Sequence, residues 1–279
     1  MLKAKLGCIA ASLFVATSAQ ALTINYSNFS DMSAFQQNGS TASIADNASY
    51  LRLTDNLGQS GSAFLTNTIS LSNQASFSTY FSFQISNPQG ISDGDGQGAD
   101  GIVFVVQTVS NTAGGAGGGI GYTGISKSLG IEFDTWDNGS GLNDPNGNHI
   151  GIDIGGSFNG PTALIGNRMN NGAKWYAWVD YNGATNLVEV RLSESNTRPT
   201  DPTLTRSVNL IDQLGQTDAY IGFTSGTGAA GGFHDILAWQ LNDNFQPIDP
   251  GTQVPEPATL ALLGLGGLGM ILARRRRAV

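Results

Sequence analysis

Cysteine is all but missing: the 279 residues hold one, Cys8. Charge is scarce too, at 12% Asp, Glu, Lys and Arg, about half the share usual in soluble domains. Positive charge is the scarcer sign. Lys and Arg number 13 against 21 acidic residues, and Lys3, Lys5 and Arg274, Arg275, Arg276 and Arg277 sit at the two ends. Between residues 22 and 254, seven basic residues face twenty acidic ones, a net of −13. An acidic body repels phosphate backbones and anionic lipid alike, which removes nucleic acid from the expected partners. Between Leu22 and Leu241 no long segment carries a 3.6-residue apolar period, so a helical bundle and an alternating α/β fold are both disfavoured. Glycine, by contrast, is plentiful at 38 residues.

The two ends read as addresses. Lys3 and Lys5 precede an apolar run from Leu6 to Val15, and Ala19-Gln20-Ala21 puts small residues at −3 and −1. That is the pattern of a secretory signal over residues 1–21, cleaved after Ala21. Cys8 lies inside it, so the mature chain is expected to form no disulfide. At the other end Val254-Pro255-Glu256-Pro257 leads into an almost wholly apolar stretch, Ala258 to Ala273, and then four arginines. Sixteen apolar residues are marginal for a bilayer core, which needs about 17–25, and an arginine cluster stays cytoplasmic. A plain tail anchor is the simplest reading. The three-part order also resembles the PEP-CTERM sorting tail of Gram-negative, exopolysaccharide-producing bacteria. The resemblance implies Sec export, transient anchoring in the inner membrane, recognition by an exosortase, and a mature protein at the cell surface or in the extracellular matrix.

The body alternates with a period of 2. Tyr50-Leu51-Arg52-Leu53, Ala75 to Ile85 and Leu187 to Leu192 each set apolar residues against Ser, Thr, Gln or charge. Asn87-Pro88-Gln89-Gly90 and Asp180-Tyr181-Asn182-Gly183 read as breaks between strands. Many short strands with no helices between them predict an all-β jelly-roll sandwich of antiparallel sheets over residues 22–241. Residues 242–253, with Pro247 and Pro250, read as a linker to the tail at 254–279.

The densest chemistry lies between Asp100 and His149. A strand through Leu129 to Trp136 puts Glu132 and Asp134 on one face, where two carboxylates repel unless a cation or proton intervenes. Asn138, Asp144 and His149 return to that face after a short loop. Oxygen ligands suit Ca²⁺, and a carboxylate–imidazole set suits Mn²⁺ or another transition metal. A polar turn is the competing reading, because loops use Asp, Asn and Gly anyway.

The order Glu132-Phe133-Asp134-Thr135-Trp136, Asn138, Asp144-Pro145, His149-Ile150-Gly151-Ile152-Asp153 resembles the metal-binding loop of legume-type (L-type) lectins. Ala99-Asp100-Gly101 upstream, with Trp175 to Asn182 and Tyr220 to Trp239 downstream, extends the likeness over about residues 24–241. The resemblance implies a concanavalin-like fold. It implies that Glu132, Asp134, Asp144 and His149 bind the transition metal. It assigns Ca²⁺ to Asp134, Asn138, Asp144 and the carbonyl of Trp136. For carbohydrate it implies Asp100, after a cis peptide from Ala99, as acceptor of sugar hydroxyls. Asn138 joins it, Trp136 offers an aromatic face, and a backbone N–H at Gly118 and the loop Gly228-Ala229-Ala230 complete the site. The implied partner is a glycan or exopolysaccharide, and the sequence leaves a homo-oligomer open. Three features depart from the family: the loop Asn138 to Asp144 is slightly longer than in most plant members, Trp stands at 136 where Phe or Tyr is commoner, and Ala229-Ala230-Gly231-Gly232 has no long side chain.

Two rivals accompany that reading. Glu132-x-Asp134-x-x-Asp137 resembles the acidic motif of concanavalin-like β-glucanases, but Asp137 is one methylene short and five positions from Glu132, an odd spacing that on a strand faces the other way. A structural matrix protein with a degenerate lectin fold is the second. His234 beside Asp235 reads as structural, at the opening of the last strand, and Trp175, Trp178 and Trp239 read as core.

Overall fold

The computed structural model describes residues 22–39, 43–44, 50–71, 74–114 and 117–250. The secretory signal at 1–21 and the sorting segment at 254–279 lie outside the described residues. In chain order the strands begin with β1 (Thr23–Tyr26), β2 (Phe35–Gly39), β3 (Ser43–Ile44), β4 (Leu51–Thr54), β5 (Ser60–Leu65) and β6 (Ile69–Ser70). Then come β7 (Phe77–Gly90), β8 (Gly101–Gln107), β9 (Ser128–Asp134), β10 (His149–Ile154) and β11 (Thr162–Leu164). The last are β12 (Lys174–Asn182), β13 (Leu187–Ser193), β14 (Leu204–Ser207), β15 (Asp218–Gly226) and β16 (Ala230–Asn242). One short helix, α1 (Leu210–Leu214), is capped by the Asn209 side chain and ended by Gly215 at φ 75°.

The strands form two antiparallel sheets, as the period-2 patterning predicts. The back sheet runs β14-β13-β12-β7-β16-β4-β3, with β1 against β16. The front sheet runs β11-β10-β9-β8-β15-β5-β2, with β6 against β15. Between them lies one apolar layer. Phe81 and Phe83 of β7 meet Phe223 of β15 and Phe133 of β9, each pair 5.0 Å between ring centres. Trp239 of β16 closes on Phe223 at 5.3 Å. A second apolar cluster, built on Val103, Val105, Ile120 and Tyr122, covers the other face of the front sheet. It explains why β8, Gly-Ile-Val-Phe-Val-Val-Gln, is buried along its whole length and does not alternate.

Two expectations change and one gains detail. The cluster at Asn87 to Gly90 does not end a strand: β7 runs through it to Gly90. The register shifts between Gly231 and Phe233 of the facing strand, and Asn87 has φ 50°. A bulge of this kind absorbs a left-handed residue and the missing N–H of Pro88. All three tryptophans are buried as expected, Trp175 and Trp239 in the layer between the sheets and Trp178 outside it. Three residues after Trp175 it points outward, where it is buried beside Tyr80 at 5.4 Å. His234 lies well inside β16, opposite Thr54 of β4.

His234 is buried among hydroxyls. Its Nδ1 lies 2.6 Å from Thr54 Oγ1, Thr54 lies 3.3 Å from Ser225 Oγ, and Ser225 donates to the Gly101 carbonyl at 2.7 Å. Burial pushes the imidazole down to about 3. An unfolded histidine takes up a proton near pH 6.5, so between pH 6.5 and about 3 the unfolded chain holds a proton that the folded chain refuses. Stability from this group is therefore complete above pH 6.5 and lost as the pH falls towards 3, on the order of 4–5 kcal/mol in all. His234→Asn keeps a donor near the Thr54 hydroxyl without the titration. Denaturant midpoints from pH 7 to 4 should fall less in the variant than in the parent; parallel curves would contradict this.

Candidate functional site

The pleat builds the site. On β9, Phe133 turns into the inter-sheet layer, so Glu132 and Asp134 turn to the opposite face. On β10, Ile150 and Ile152 take the core side and leave His149, Gly151 and Asp153 facing the same way as the two carboxylates. The antiparallel register sets His149 across from Asp134 and Gly151 across from Glu132. Gly151 is required there, because the Glu132 carboxylate occupies the room in which a Cβ would stand.

The result is a buried group of Glu132, Asp134 and His149 whose donor atoms all lie within 4.8 Å of one another. His149 Nε2 stands 3.4 Å from Glu132 Oε1 and 3.9 Å from Asp144 Oδ1, while Nδ1 meets the Asn146 carbonyl at 2.9 Å. The ring is thus held by the chain on one nitrogen and presents the other to the carboxylates. Asp134 accepts the Trp136 N–H at 2.7 Å, and Asp144 accepts the Asn138 N–H at 2.7 Å. The structure thus brings Glu132, Asp134 and His149 together, with Asp144 Oδ1 at 3.9 Å from His149 Nε2.

Electrostatics say what this group wants. Burial, then the charges of Glu132 and Asp144, hold Asp134 well above the usual carboxylate range. Asp144 is raised, by burial first, against the Asn138 hydrogen bond. Burial depresses His149, yet the neighbouring Glu132 carboxylate and the charge of Asp144 leave it raised. Glu132 Oε2 and His149 Nε2 are buried without a hydrogen-bond partner. Crowded, desolvated carboxylates with such atoms are costly unless a cation joins them. The donor set, carboxylates with one imidazole, fits a divalent metal.

Beside this centre three loops converge. The Ala99–Asp100 peptide is cis, as the resemblance implies. Asp100 is pinned through its backbone: its N–H donates to the Gly226 carbonyl at 3.1 Å and its carbonyl accepts the Thr135 N–H at 2.9 Å. Its carboxylate is buried, Oδ2 has no hydrogen-bond partner, and burial followed by the charge of Asp144 raises it to about 7. Gly118 packs on Asn138, where an added Cβ would fall 2.6 Å from Oδ1. Asn138 Nδ2 also lacks a partner. Across from them a Cβ on Gly228 would lie 3.9 Å from Asp100 Oδ2. Trp136 is half-buried, Ala229 is exposed and Ala230 is buried. Gly118 with Asn138 and Gly228 with Asp100 thus form two close pairs, and Asp100 is near enough to the metal-type centre for its charge to act on Asp134.

A legume lectin domain matches residues 21–256, and a PEP-CTERM protein-sorting motif matches residues 253–277. The chain belongs to the legume lectin family. Among curated relatives, the L-type lectin-domain containing receptor kinase VIII.1 of Arabidopsis thaliana is 32% identical over 190 residues, 65% of this chain and 26% of the relative. The chain spans about a quarter of the length of such receptor kinases. The bark lectin of Styphnolobium japonicum is 30% identical over 189 residues, covering 64% of this chain and 66% of that lectin. A solved peanut lectin bound to a nine-residue peptide superposes with a TM-score of 0.64 at 26% identity, over 80% of this chain and 97% of the other. In this legume lectin domain, two acidic residues that sequence reasoning passed over also touch the site. Asp93 and Asp95 of the β7–β8 connection bind the backbone of the loop between Asp137 and Gly147. Their Asp-Gly-Asp-Gly spelling is that of an ordinary turn.

Proposed function

We propose that the mature chain is an exported, non-enzymatic lectin whose sugar site is organised by Ca²⁺ and a transition metal, with Mn²⁺ as the expected ion. The observation that carries this reading is the pairing of two features. A buried Glu132–Asp134–His149 group has unpartnered donor atoms, and the nearby Asp100 Oδ2 and Asn138 Nδ2 are likewise buried without a partner. Glu132, Asp134, Asp144 and His149 would hold the transition metal. Asp134, Asn138, Asp144 and the Trp136 carbonyl would hold calcium. The ions would supply positive charge that keeps these carboxylates ionised and fixes the loop on which Asn138 and Trp136 sit.

The chain's own groups do the recognition. Asp100, held on both sides by backbone hydrogen bonds, accepts from sugar hydroxyls. Asn138 donates through Nδ2, a backbone N–H at Gly118 adds a further donor, and Trp136 lies against the apolar C–H side of the ring. Ala229 and Ala230 shape the far wall without adding polar contacts, so few hydrogen bonds carry specificity. The tail motif supports sorting by an exosortase and a place at the cell surface or in the exopolysaccharide matrix, where a glycan is the natural partner.

Hydrolysis is not expected. A retaining mechanism needs two carboxyl groups about 5–5.5 Å apart on one face of a cleft. Glu132 and Asp134 share a face but belong to the metal-type group. Asp137 is exposed in the loop, where its Oδ1 accepts the Gly139 N–H at 2.7 Å. Incubation with β-glucans and with the producer's own exopolysaccharide should release no new reducing ends. Turnover that survives EDTA and disappears in Glu132→Gln would establish a hydrolase instead.

A further inference from the structure

Asp93 and Asp95 lie between β7 and β8, a few residues before Asp100. Asp93 uses both carboxylate oxygens. Its Oδ1 accepts the N–H groups of Asp95 and Gly96, each at 2.9 Å, which folds its own loop. Its Oδ2 reaches across to the Asp137 N–H, also at 2.9 Å. Asp95 Oδ2 accepts the Gly147 N–H at 2.7 Å. The approach at Gly147 is close enough that a Cβ there would collide with Asp93 Oδ2. Residues 137 and 147 are the two ends of the loop that carries Asn138 and Asp144. Between those ends the loop has a 3-10 turn at Gly139–Gly141, a few local hydrogen bonds, and one longer reach from Asn143 Nδ2 to the Gly160 carbonyl at 3.1 Å.

We infer that Asp93 and Asp95 are positioning residues that clasp both ends of the metal loop to the segment leading into Asp100, before any ion binds. Hydrogen bonds from N–H to a carboxylate are short and strong for their class. Two of them, placed at the ends of a glycine-rich loop, remove ordering cost that ion binding would otherwise bear. The clasp also ties the loop that would hold calcium to the loop that would meet sugar through the chain itself. This inference rests on the metal-loop reading above for its consequence, though not for its geometry.

The two residues differ in a way that separates positioning from charge. Asp95 reaches the metal loop through one oxygen, which the amide carbonyl of Asn replaces. Asp93 accepts through both, and Asn offers only one acceptor. The experiment uses the mature protein, stripped with EDTA, in two measurements: calcium titration by calorimetry, and amide hydrogen exchange in EDTA. The Asp137 and Gly147 amides of the parent should be protected in EDTA. Asp93→Asn and Asp93→Ala should lose protection at Asp137 and weaken calcium binding roughly tenfold, the effect of one charge-assisted hydrogen bond. Asp95→Ala should do the same at Gly147, while Asp95→Asn stays within about twofold of the parent.

Equal weakening by the two Asn variants would overturn the clasp in favour of simple attraction between calcium and negative charge. Unprotected Asp137 and Gly147 amides in the EDTA-treated parent would overturn it as well. A parent that binds no calcium at all would instead sink the metal reading, and the amide measurement would still decide whether the clasp exists.

Discussion

Removal of divalent metal should lower the melting temperature of the mature protein by roughly 8–16 °C for each ion lost. The sign follows from mass action: an ion that binds only the folded chain stabilises it by RT ln(1 + [L]/Kd), about 4 kcal/mol at a thousand times Kd. The size per degree follows from the length of the domain, for which 1 kcal/mol moves the midpoint by about 2–4 °C. The structural cause is the crowding at β9 and β10. Glu132, Asp134, Asp144 and His149 share one buried patch, and burial with mutual repulsion already raises Asp134 and Asp144. A cation relieves that repulsion in the folded chain alone, since in the unfolded chain these residues are solvated and apart. Scanning calorimetry with and without EDTA, beside elemental analysis of the purified protein, makes the test. Coincident melting curves and no bound metal would contradict the site.

Asp100→Ala should abolish sugar binding and leave metal content nearly intact. Asp100 lies outside the Glu132–Asp134–His149 group, and its backbone contacts to Gly226 and Thr135 survive the loss of the side chain. What would go is the buried carboxylate proposed to accept two sugar hydroxyls. Hydrogen bonds to a charged group contribute about 1.5–3 kcal/mol each, so the pair corresponds to a fall of roughly 10²–10⁴-fold in affinity. A lectin site with so few polar contacts has no reserve against such a loss. Asp134→Ala should behave differently and lose both metal and sugar, because Asp134 serves the metal-type group and also holds the Trp136 N–H. Retention of Asp100→Ala on the sugar column that retains the parent would show that the binding residues lie elsewhere.

Much of this site can be read in the sequence because its order is local. Strand alternation alone places Glu132 and Asp134 together with Phe133 behind them, and the same rule aligns His149, Gly151 and Asp153. The motif spacing then brings His149 back opposite Asp134. What escapes is whatever depends on a distant backbone. That Gly151 must lack a side chain follows only from its register with Glu132. Asp93 and Asp95 act on N–H groups some fifty residues away, and no pattern in Asp-Gly-Asp-Gly distinguishes that from a solvated turn. The bulge at Asn87 hides β7's last residues, since Asn-Pro-Gln-Gly spells a break until a facing strand absorbs the irregularity. Trp178 is buried as its apolar character predicts, but its face is not legible in the sequence. Its side chain is as buried as a core residue, but on the outer face of the back sheet, and apolarity alone does not say which face covers it.

The most direct test of the central claim is a glycan array probed with the mature protein in Ca²⁺ and Mn²⁺, in EDTA, and in EDTA followed by return of both ions. The account predicts a restricted set of bound glycans, loss of signal in EDTA, and recovery when the ions return. No binding in any condition, or binding that EDTA leaves unchanged, would contradict a metal-organised sugar site.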